Sequence, residues 1–418
     1  MNFQLISCGQ QVQNSKFKIQ ENTQNSKTEK LEIKTGAEHT NLYLGLLKGK
    51  NVAVVGNQTS VISKIFNSEA YGVDTHSEKI IDTIKFSKLE YVHLVDSLLS
   101  LGITVKKVFA PEHGFRGKAD AGAYVEDGLD AKTGLPILSL HGKNKKPSAK
   151  QLKGIDVVVF DIQDVGVRFY TYISTLHYVL EACAENGIPV IILDRPNPNG
   201  HYIDGAVLEM KHSSFVGKHP VPVVYGMTIG EYGQMINGEK WLKNGIQCNL
   251  KVIPLENYTH NSEYSLPIKP SPNLPNDKSI NLYPSLGFFE GTTINAGRGT
   301  TFQFQRYGAP FFEKTKFSFT PKANDGAKYP KHKGKMCYGK DLSETEYLSK
   351  INLSFLIDAY QQTPKKKKFF GETFTIHAGT KKLQQQIEKG LSEEEIRETW
   401  AEDLEAFKVV REKYLIYK

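Results

Sequence analysis

Short β-branched runs alternate with helical stripes through the first half of the chain. Residues 51–56 (NVAVVG) form an apolar run that stops at Gly56 and read as a buried strand. Residues 88–101 (KLEYVHLVDSLLSL) place Leu89, Val92, Val95, Leu98 and Leu99 at helical spacing and end at Gly102, which predicts a helix. Residues 103–110 (ITVKKVFA), 155–162 (IDVVVFDI) and 188–194 (IPVIILD) predict three more strands, and 171–186 a helix closed by Asn186-Gly187. Strand, helix and strand over short connections imply parallel βαβ units with right-handed crossovers. The expected fold class is α/β: a Rossmann-like, doubly wound, mostly parallel sheet over residues 41–215. From residue 216 the alternation fades. There the pattern predicts a helix over 228–242, a Pro- and Asn-rich loop over 266–290 (with PIKPSPNLPN), a strand near 371–377, and helices over 380–390 and 393–413. Residues 216–418 therefore read as a smaller α+β C-terminal domain.

Composition narrows the class. The chain has 418 residues, 39% apolar and 23% charged, which fits a soluble globular protein and excludes collagen-like, mucin-like and wholly disordered chains. Lys plus Arg number 53 against 45 acidic residues, for a net charge of +8. The positive charges are scattered apart from Lys365–Lys368, so no nucleic-acid partner is expected, and that run reads as an exposed turn. No run of about 20 apolar residues exists to cross a membrane as a helix. Residues 9–40 are rich in Gln, Asn, Ser, Thr, Lys and Glu, so 1–40 reads as a disordered tether. Ahead of it, Leu5-Ile6-Ser7-Cys8 has the form of a bacterial lipobox, without charged and apolar signal regions before it. The expectation is an exported protein anchored by lipid at Cys8 and facing the periplasm or cell surface, with a cytoplasmic location as the alternative. Cys183, Cys248 and Cys337 complete the cysteines; no C-x-x-C pair occurs, and no disulfide framework is expected.

Three predicted strands each end in a polar, Gly- or Pro-containing segment, and ligands of open α/β sheets bind beyond such strand ends. After the second strand comes Pro111-Glu112-His113-Gly114-Phe115-Arg116-Gly117. After the third comes Asp161-Ile162-Gln163-Asp164-Val165-Gly166-Val167-Arg168-Phe169-Tyr170-Thr171-Tyr172, and after the fourth Asp194-Arg195-Pro196-Asn197-Pro198-Asn199-Gly200. Glu112 beside Pro111 and Phe115 suits a desolvated general acid, or else an ion pair with Arg116. His113 is a candidate acid/base or hydroxyl-binding group. Asp161 and Asp164 suit sugar hydroxyls or the role of a second carboxyl; without His or Cys nearby they do not predict a metal. Arg168 and Tyr172 suit an anionic group and a ring, with an Arg168–Asp164 ion pair as the alternative. Glu290 to Thr301 (EGTTINAGRGTT) reads as a ligand-contacting loop with Arg298 as an anion clamp. Gly56 is followed by Asn57-Gln58-Thr59-Ser60 rather than a glycine fingerprint, so no dinucleotide cofactor is expected. G-x-S-x-G and H-E-x-x-H are absent as well. What remains is carboxylates, Arg, Tyr and Asn197, the chemistry of sugar binding and glycoside cleavage.

The segments P-E-H-G-F-R-G, D-x-Q-D-x-G-x-R-x-Y-T-Y, D-R-P-N-P and E-G-T…G-R-G-T, in this order, resemble the exo-β-N-acetylmuramidase (NamZ) family, long described as a bacterial domain of unknown function. Gly226-Met227-Thr228-Ile229-Gly230-Glu231 and Cys337-Tyr338-Gly339 are similar to family segments too, and the likeness spans about residues 42–418. It implies a glycoside hydrolase that removes β-linked N-acetylmuramic acid from the non-reducing ends of peptidoglycan-derived glycan, needing no cofactor. It also implies a Rossmann-like domain, a smaller C-terminal domain and a site in the cleft between them, with Glu112 in the motif position assigned to catalysis. The second catalytic group would be Asp164, Asp161 or Glu290, or the substrate's own acetamido group oriented by a carboxylate or His113. Arg168 and Arg298 are the candidates for reading the lactyl carboxylate that distinguishes muramic acid from glucosamine. The alternative from another class is a non-catalytic lipoprotein that binds cell-wall fragments.

Overall fold

The computed structural model describes residues 31–73, 80–112, 114–116 and 127–418, with side chains described outside 65–73 and 80–87. Cys8 and the first thirty residues of the expected tether lie outside the described residues. From Ile33 the chain belongs to one compact unit that runs to Lys418.

Seven strands make the main sheet: β1 (Val52–Gly56), β4 (Val105–Ala110), β5 (Gly128–Leu129), β6 (Pro136–Ser139), β7 (Val157–Asp161), β8 (Val190–Leu193) and β9 (Leu250–Ile253). Their order is β5-β6-β4-β1-β7-β8-β9. All neighbours pair in parallel except β5 with β6. Two further strands, β2 (Val61–Val73) and β3 (Ile80–His93), pair antiparallel with each other. β1 and β7 are buried along their whole length, as a central parallel strand covered on both faces must be.

The period of two sorts their side chains onto two cores. Ala53, Val55, Val158, Phe160, Val190 and Ile192 face one layer, which holds α4 (Tyr172–Glu185) and α5 (Ile229–Gly238). Val52, Val54, Val157, Val159, Ile191 and Leu193 face the other, with α1 (Thr40–Leu47) and α2 (Leu94–Ser100). Each fully buried aliphatic or aromatic side chain adds about 1.5–3 kcal/mol relative to exposure. The fold is thus a doubly wound α/β sheet. The short α3 (Ala149–Leu152) precedes β7. The chain runs from β1 outward to β4 and β6, then returns to β7 on β1's other side. That reversal places a topological switch point between β1 and β7, where a ligand crevice is expected.

The C-terminal part carries a three-stranded antiparallel sheet in the order β10-β12-β11 (Arg306–Ala309, Cys337–Asp341, Ser318–Phe319). Its helices are α6 (Asp277–Leu286), α7 (Ser354–Gln361), α8 (Phe374–Ala378), α9 (Lys382–Glu388), α10 (Glu393–Glu398) and α11 (Ala401–Glu412). Its apolar residues, among them Phe289, Tyr307, Phe374 and Trp400, join the same core as α4 and α5. The sheet itself draws on residues 52–253, so α5 and β9 come from beyond residue 215.

Five local expectations are corrected. Residues 88–93 are the end of β3, not the start of a helix; there Leu89 pairs with Ile65 and Tyr91 with Ser63. The helix begins at Leu94, where the His93 ring nitrogen caps the Val95 amide. Within 266–290, only the stretch up to Asn276 is loop. Asn276 caps α6 by accepting from the Ser279 amide, and Pro284 sits inside that helix. Residues 374–378 are helix rather than strand. Finally, order begins before residue 41. Gly36 donates to the Asp194 carbonyl, and a Cβ there would lie 2.3 Å from the Ile253 carbonyl oxygen, so this segment is fitted against the sheet edge. The helical stretch over 393–413 is two helices, α10 and α11.

Candidate active site

The rim above β1, β4 and β7 is built from buried polar contacts. β4 runs into Pro111 and Glu112, and the loop after β7 delivers Phe169-Tyr170-Thr171-Tyr172 at the start of α4. The Tyr172 hydroxyl accepts from Asn57 Nδ2 at 2.9 Å, at the end of β1, and donates to the Glu112 carbonyl at 3.4 Å. One phenol at the head of α4 therefore joins the ends of β1 and β4. The Thr171 hydroxyl donates to Glu112 Oε2 at 2.9 Å and so orients the carboxyl. Tyr170 donates to the Pro270 carbonyl at 2.8 Å, drawing in the Pro-rich loop.

These residues wall a cavity of about 270 Å³. Glu112, Thr171, Tyr172, Tyr283, Glu290 and Arg298 line it together with His377 of α8. Phe169 packs edge-on against Tyr283 at 5.2 Å and close to His377 at 5.8 Å, so the walls are largely aromatic. The volume lies near the small end of the roughly 300–1,000 Å³ typical of ligand pockets.

Glu290 is the second carboxyl on the wall. Arg298 donates to its Oε2 at 2.8 Å and to the Gly326 carbonyl at 3.1 Å. The Lys331 ammonium donates to the carbonyls of Phe289 and Glu290 at 2.6 and 3.1 Å. Burial alone would raise the Glu290 carboxyl; Arg298, Lys331 and His377 outweigh it and hold it below the usual range. Burial lowers the His377 imidazole, against the opposing pull of the Thr373 carbonyl and Glu290. Burial likewise pushes the phenols of Tyr172 and Tyr283 up, with Glu112 adding to the effect on both. The wall thus combines an ionised carboxylate, neutral phenols and Glu112.

Of the residues singled out in the sequence, Glu112, Tyr172, Glu290 and Arg298 meet at this cavity. His113 lies outside the described residues. The others are placed elsewhere and carry structure. Asp161 is fully buried and accepts from Arg195 Nε and a terminal guanidinium nitrogen at 2.6 and 2.9 Å. Asp164 accepts from the Gly166 amide at 2.7 Å and from the Tyr225 hydroxyl, and burial raises its carboxyl to about 6. Asn197 donates to the Met227 carbonyl at 2.9 Å and accepts from the Asn199 amide at 2.8 Å, fixing its own turn. Arg116 pairs with Asp130 at 2.7 Å and Asp96 at 3.3 Å, rather than with Glu112 or a ligand.

Arg168 is the largest correction. It is fully buried, pairs with no carboxylate among the described residues and donates to the carbonyls of Ala206, Val221, His377 and Ala378 at 2.7–3.1 Å. Burial pulls its guanidinium down to about 10. It pins α8, and with it His377, to the loop before α4. Gly379 makes room: its φ is +76°, and a Cβ there would lie 2.4 Å from an Arg168 nitrogen.

His377, Tyr283, Ser271, Asn273, Phe304 and His141 also line the cavity and had no sequence motif to announce them. Ser271 and Asn273 belong to the S-P-N-L-P-N stretch, whose prolines signalled only a loop. Among the described residues, no three His, Cys, Asp or Glu side chains gather as cation ligands.

Comparison with known proteins agrees with this arrangement. Models of the exo-β-N-acetylmuramidase NamZ N-terminal and C-terminal domains match residues 82–278 and 281–417. The peptidoglycan β-N-acetylmuramidase NamZ of Bacillus subtilis is 36% identical over 424 aligned residues, covering 94% of each chain. A crystal structure of a DUF1343 family protein from Bacteroides fragilis superposes with a TM-score of 0.80 at 43% identity, covering 93% of this chain and 99% of that one. A second DUF1343 family protein from the same organism gives 0.74 at 28% identity, covering 92% and 99%. The chain belongs to the exo-β-N-acetylmuramidase NamZ family of glycoside hydrolases.

Proposed function

We propose that this protein is an exo-acting β-N-acetylmuramidase that releases N-acetylmuramic acid from the non-reducing ends of peptidoglycan-derived glycan. The observation that carries the reading is one cavity lined by both Glu112 and Glu290, in a chain of this family. Glycoside cleavage uses two carboxyl groups flanking the scissile bond. Asp161 and Asp164 are committed to Arg195 and Tyr225, so Glu290 is the partner left of the three candidates.

The roles divide by environment. Glu112, held by Thr171, donates its proton to the glycosidic oxygen as the bond to the anomeric carbon lengthens. Glu290 stays ionised beside Arg298, and its charge faces the positive charge that builds on the sugar ring. Aromatic walls exclude water and strengthen both effects. Product stereochemistry names the nucleophile: retention follows from the substrate's acetamido oxygen or a carboxylate, inversion from direct attack by water.

The test uses a chromogenic β-N-acetylmuramide and the matching β-N-acetylglucosaminide. Release from the muramide alone supports the reading. A protein that binds muramic acid but releases chromophore from neither substrate is a binding protein.

A further inference from the structure

An enzyme that distinguishes muramic acid from glucosamine needs a cation free to meet the lactyl carboxylate. Both arginines that the sequence offers are occupied. Arg168 is buried among four carbonyls, and Arg298 is held by Glu290 and Gly326.

Two other cations lie on a pair of stacked rings, one of which lines the cavity. Phe215 lines the cavity and stacks on Tyr178 of α4, with centroids 6.2 Å apart and planes 15° apart. The Lys145 ammonium lies 4.5 Å from the centre of the Phe215 ring, and the Lys218 ammonium 4.7 Å from that of Tyr178. All four residues are half-buried. Each lysine sits on a segment that also walls the cavity, Lys145 with His141 and Lys218 with Val216. Among the described residues, neither ammonium has a carboxylate within ion-pair distance or a hydrogen-bond acceptor. The contrast is local: Lys146 pairs with Glu181 and Glu185, both at 2.7 Å.

An aromatic face holds an ammonium through its quadrupole and leaves the charge intact. The stacked rings therefore pin two lysine stems while keeping two positive charges available to a ligand. We infer that Lys145 and Lys218 are the carboxylate-reading pair of this cavity, taking the lactyl carboxylate of the terminal muramic acid residue. This assignment rests on the function proposed above. It moves selectivity from the arginines to a cation pair beside Phe215, and leaves Arg298 to keep Glu290 ionised.

The test compares the wild-type protein with Lys145→Gln, Lys218→Gln, the double variant and the double Lys→Arg variant. Two readouts are taken: kcat/KM on the chromogenic muramide and glucosaminide, and calorimetric titration with free N-acetylmuramic acid and N-acetylglucosamine. The double Gln variant loses about 10- to 100-fold in muramide kcat/KM, mostly through KM, because charge-assisted contacts to the bound carboxylate are gone. The double Arg variant retains the muramide kcat/KM. An unchanged muramide kcat/KM in the double Gln variant overturns the assignment. A wild-type protein that cleaves neither substrate refutes the enzymatic reading alone, and the sugar titration then decides. Tighter binding of muramic acid that disappears in the double Gln variant supports the pair; a preference that survives it, or is absent in the wild type, overturns it.

Discussion

Changing Asp161 to Asn keeps the side chain's size and removes its charge, and this separates a structural role from a ligand-binding one. Arg195 is 3% exposed and Asp161 not at all. Two guanidinium nitrogens donate to the carboxylate at 2.6 and 2.9 Å, and one also donates to the Val61 carbonyl at 3.0 Å. Burial would lower the Arg195 guanidinium; Asp161 overrides that and raises it. At this separation and an effective dielectric of about 20, the attraction is about 6 kcal/mol, while burial still leaves the Asp161 carboxyl above its usual range. The amide introduced by Asp161→Asn can accept one of the two donors but leaves a buried positive charge without a counter-ion. Removing one partner of such a pair costs about 3–5 kcal/mol. For a body of this size the unfolding entropy is on the order of 0.8 kcal/mol per kelvin, so the melting temperature falls by about 4–6 °C. Calorimetry measures that fall. Muramide KM, measured well below the transition, stays at the wild-type value, because Asp161 does not reach the cavity. A loss under about 1 kcal/mol, or a raised KM with an unchanged melting temperature, would refute the reasoning and return Asp161 to the substrate.

Two further outcomes follow from buried networks. His177 Nδ1 and His219 Nε2 lie 2.9 Å apart, and His219 Nδ1 lies 2.9 Å from the Tyr232 hydroxyl. Burial holds His177 down to about 4 from its usual 6.5, and His219 below its usual value too. Both are neutral when folded, so only the unfolded chain takes up protons as pH falls below about 6.5. Stability from this pair is full above that pH and declines toward about pH 4; a His219→Gln variant shows a shallower decline in melting temperature over that window, and an identical slope contradicts the assignment. At the C-terminus, the Tyr417 hydroxyl donates to Asp194 at 2.7 Å and accepts from the Leu255 amide at 2.8 Å. Tyr417→Phe is expected to cost about 1–3 kcal/mol, read by chemical denaturation, and an unchanged midpoint contradicts it.

The sheet was legible because central parallel strands must be apolar on both faces. Runs such as VAVVG and VVVFD have no other reading of comparable simplicity. The rim was legible for the same reason, since polar segments at successive parallel strand ends converge. Which polar residue faces the ligand was not. Asp161 and Glu112 both follow strands, yet Asp161 meets Arg195 and Glu112 meets the cavity. That choice depends on a partner 34 residues away, which no local pattern displays. Arg168 misled because a buried arginine whose terminal nitrogens meet carbonyls looks, in sequence, like an anion clamp. Lys145 and Lys218 were hidden among scattered surface lysines, and only the rings beneath them set them apart. The misread helix at 88–93 has a different origin: pairing with β2 overrode a helical stripe.

The most direct measurement follows a reducing-end-labelled glycan strand over time, with wild-type protein and Glu112→Gln in parallel. Free N-acetylmuramic acid as the first and only new monosaccharide, with the strand shortening from its non-reducing end and no turnover by the variant, is the predicted result. Early internal fragments, or a Glu112→Gln protein that still releases muramic acid at the wild-type rate, would contradict it.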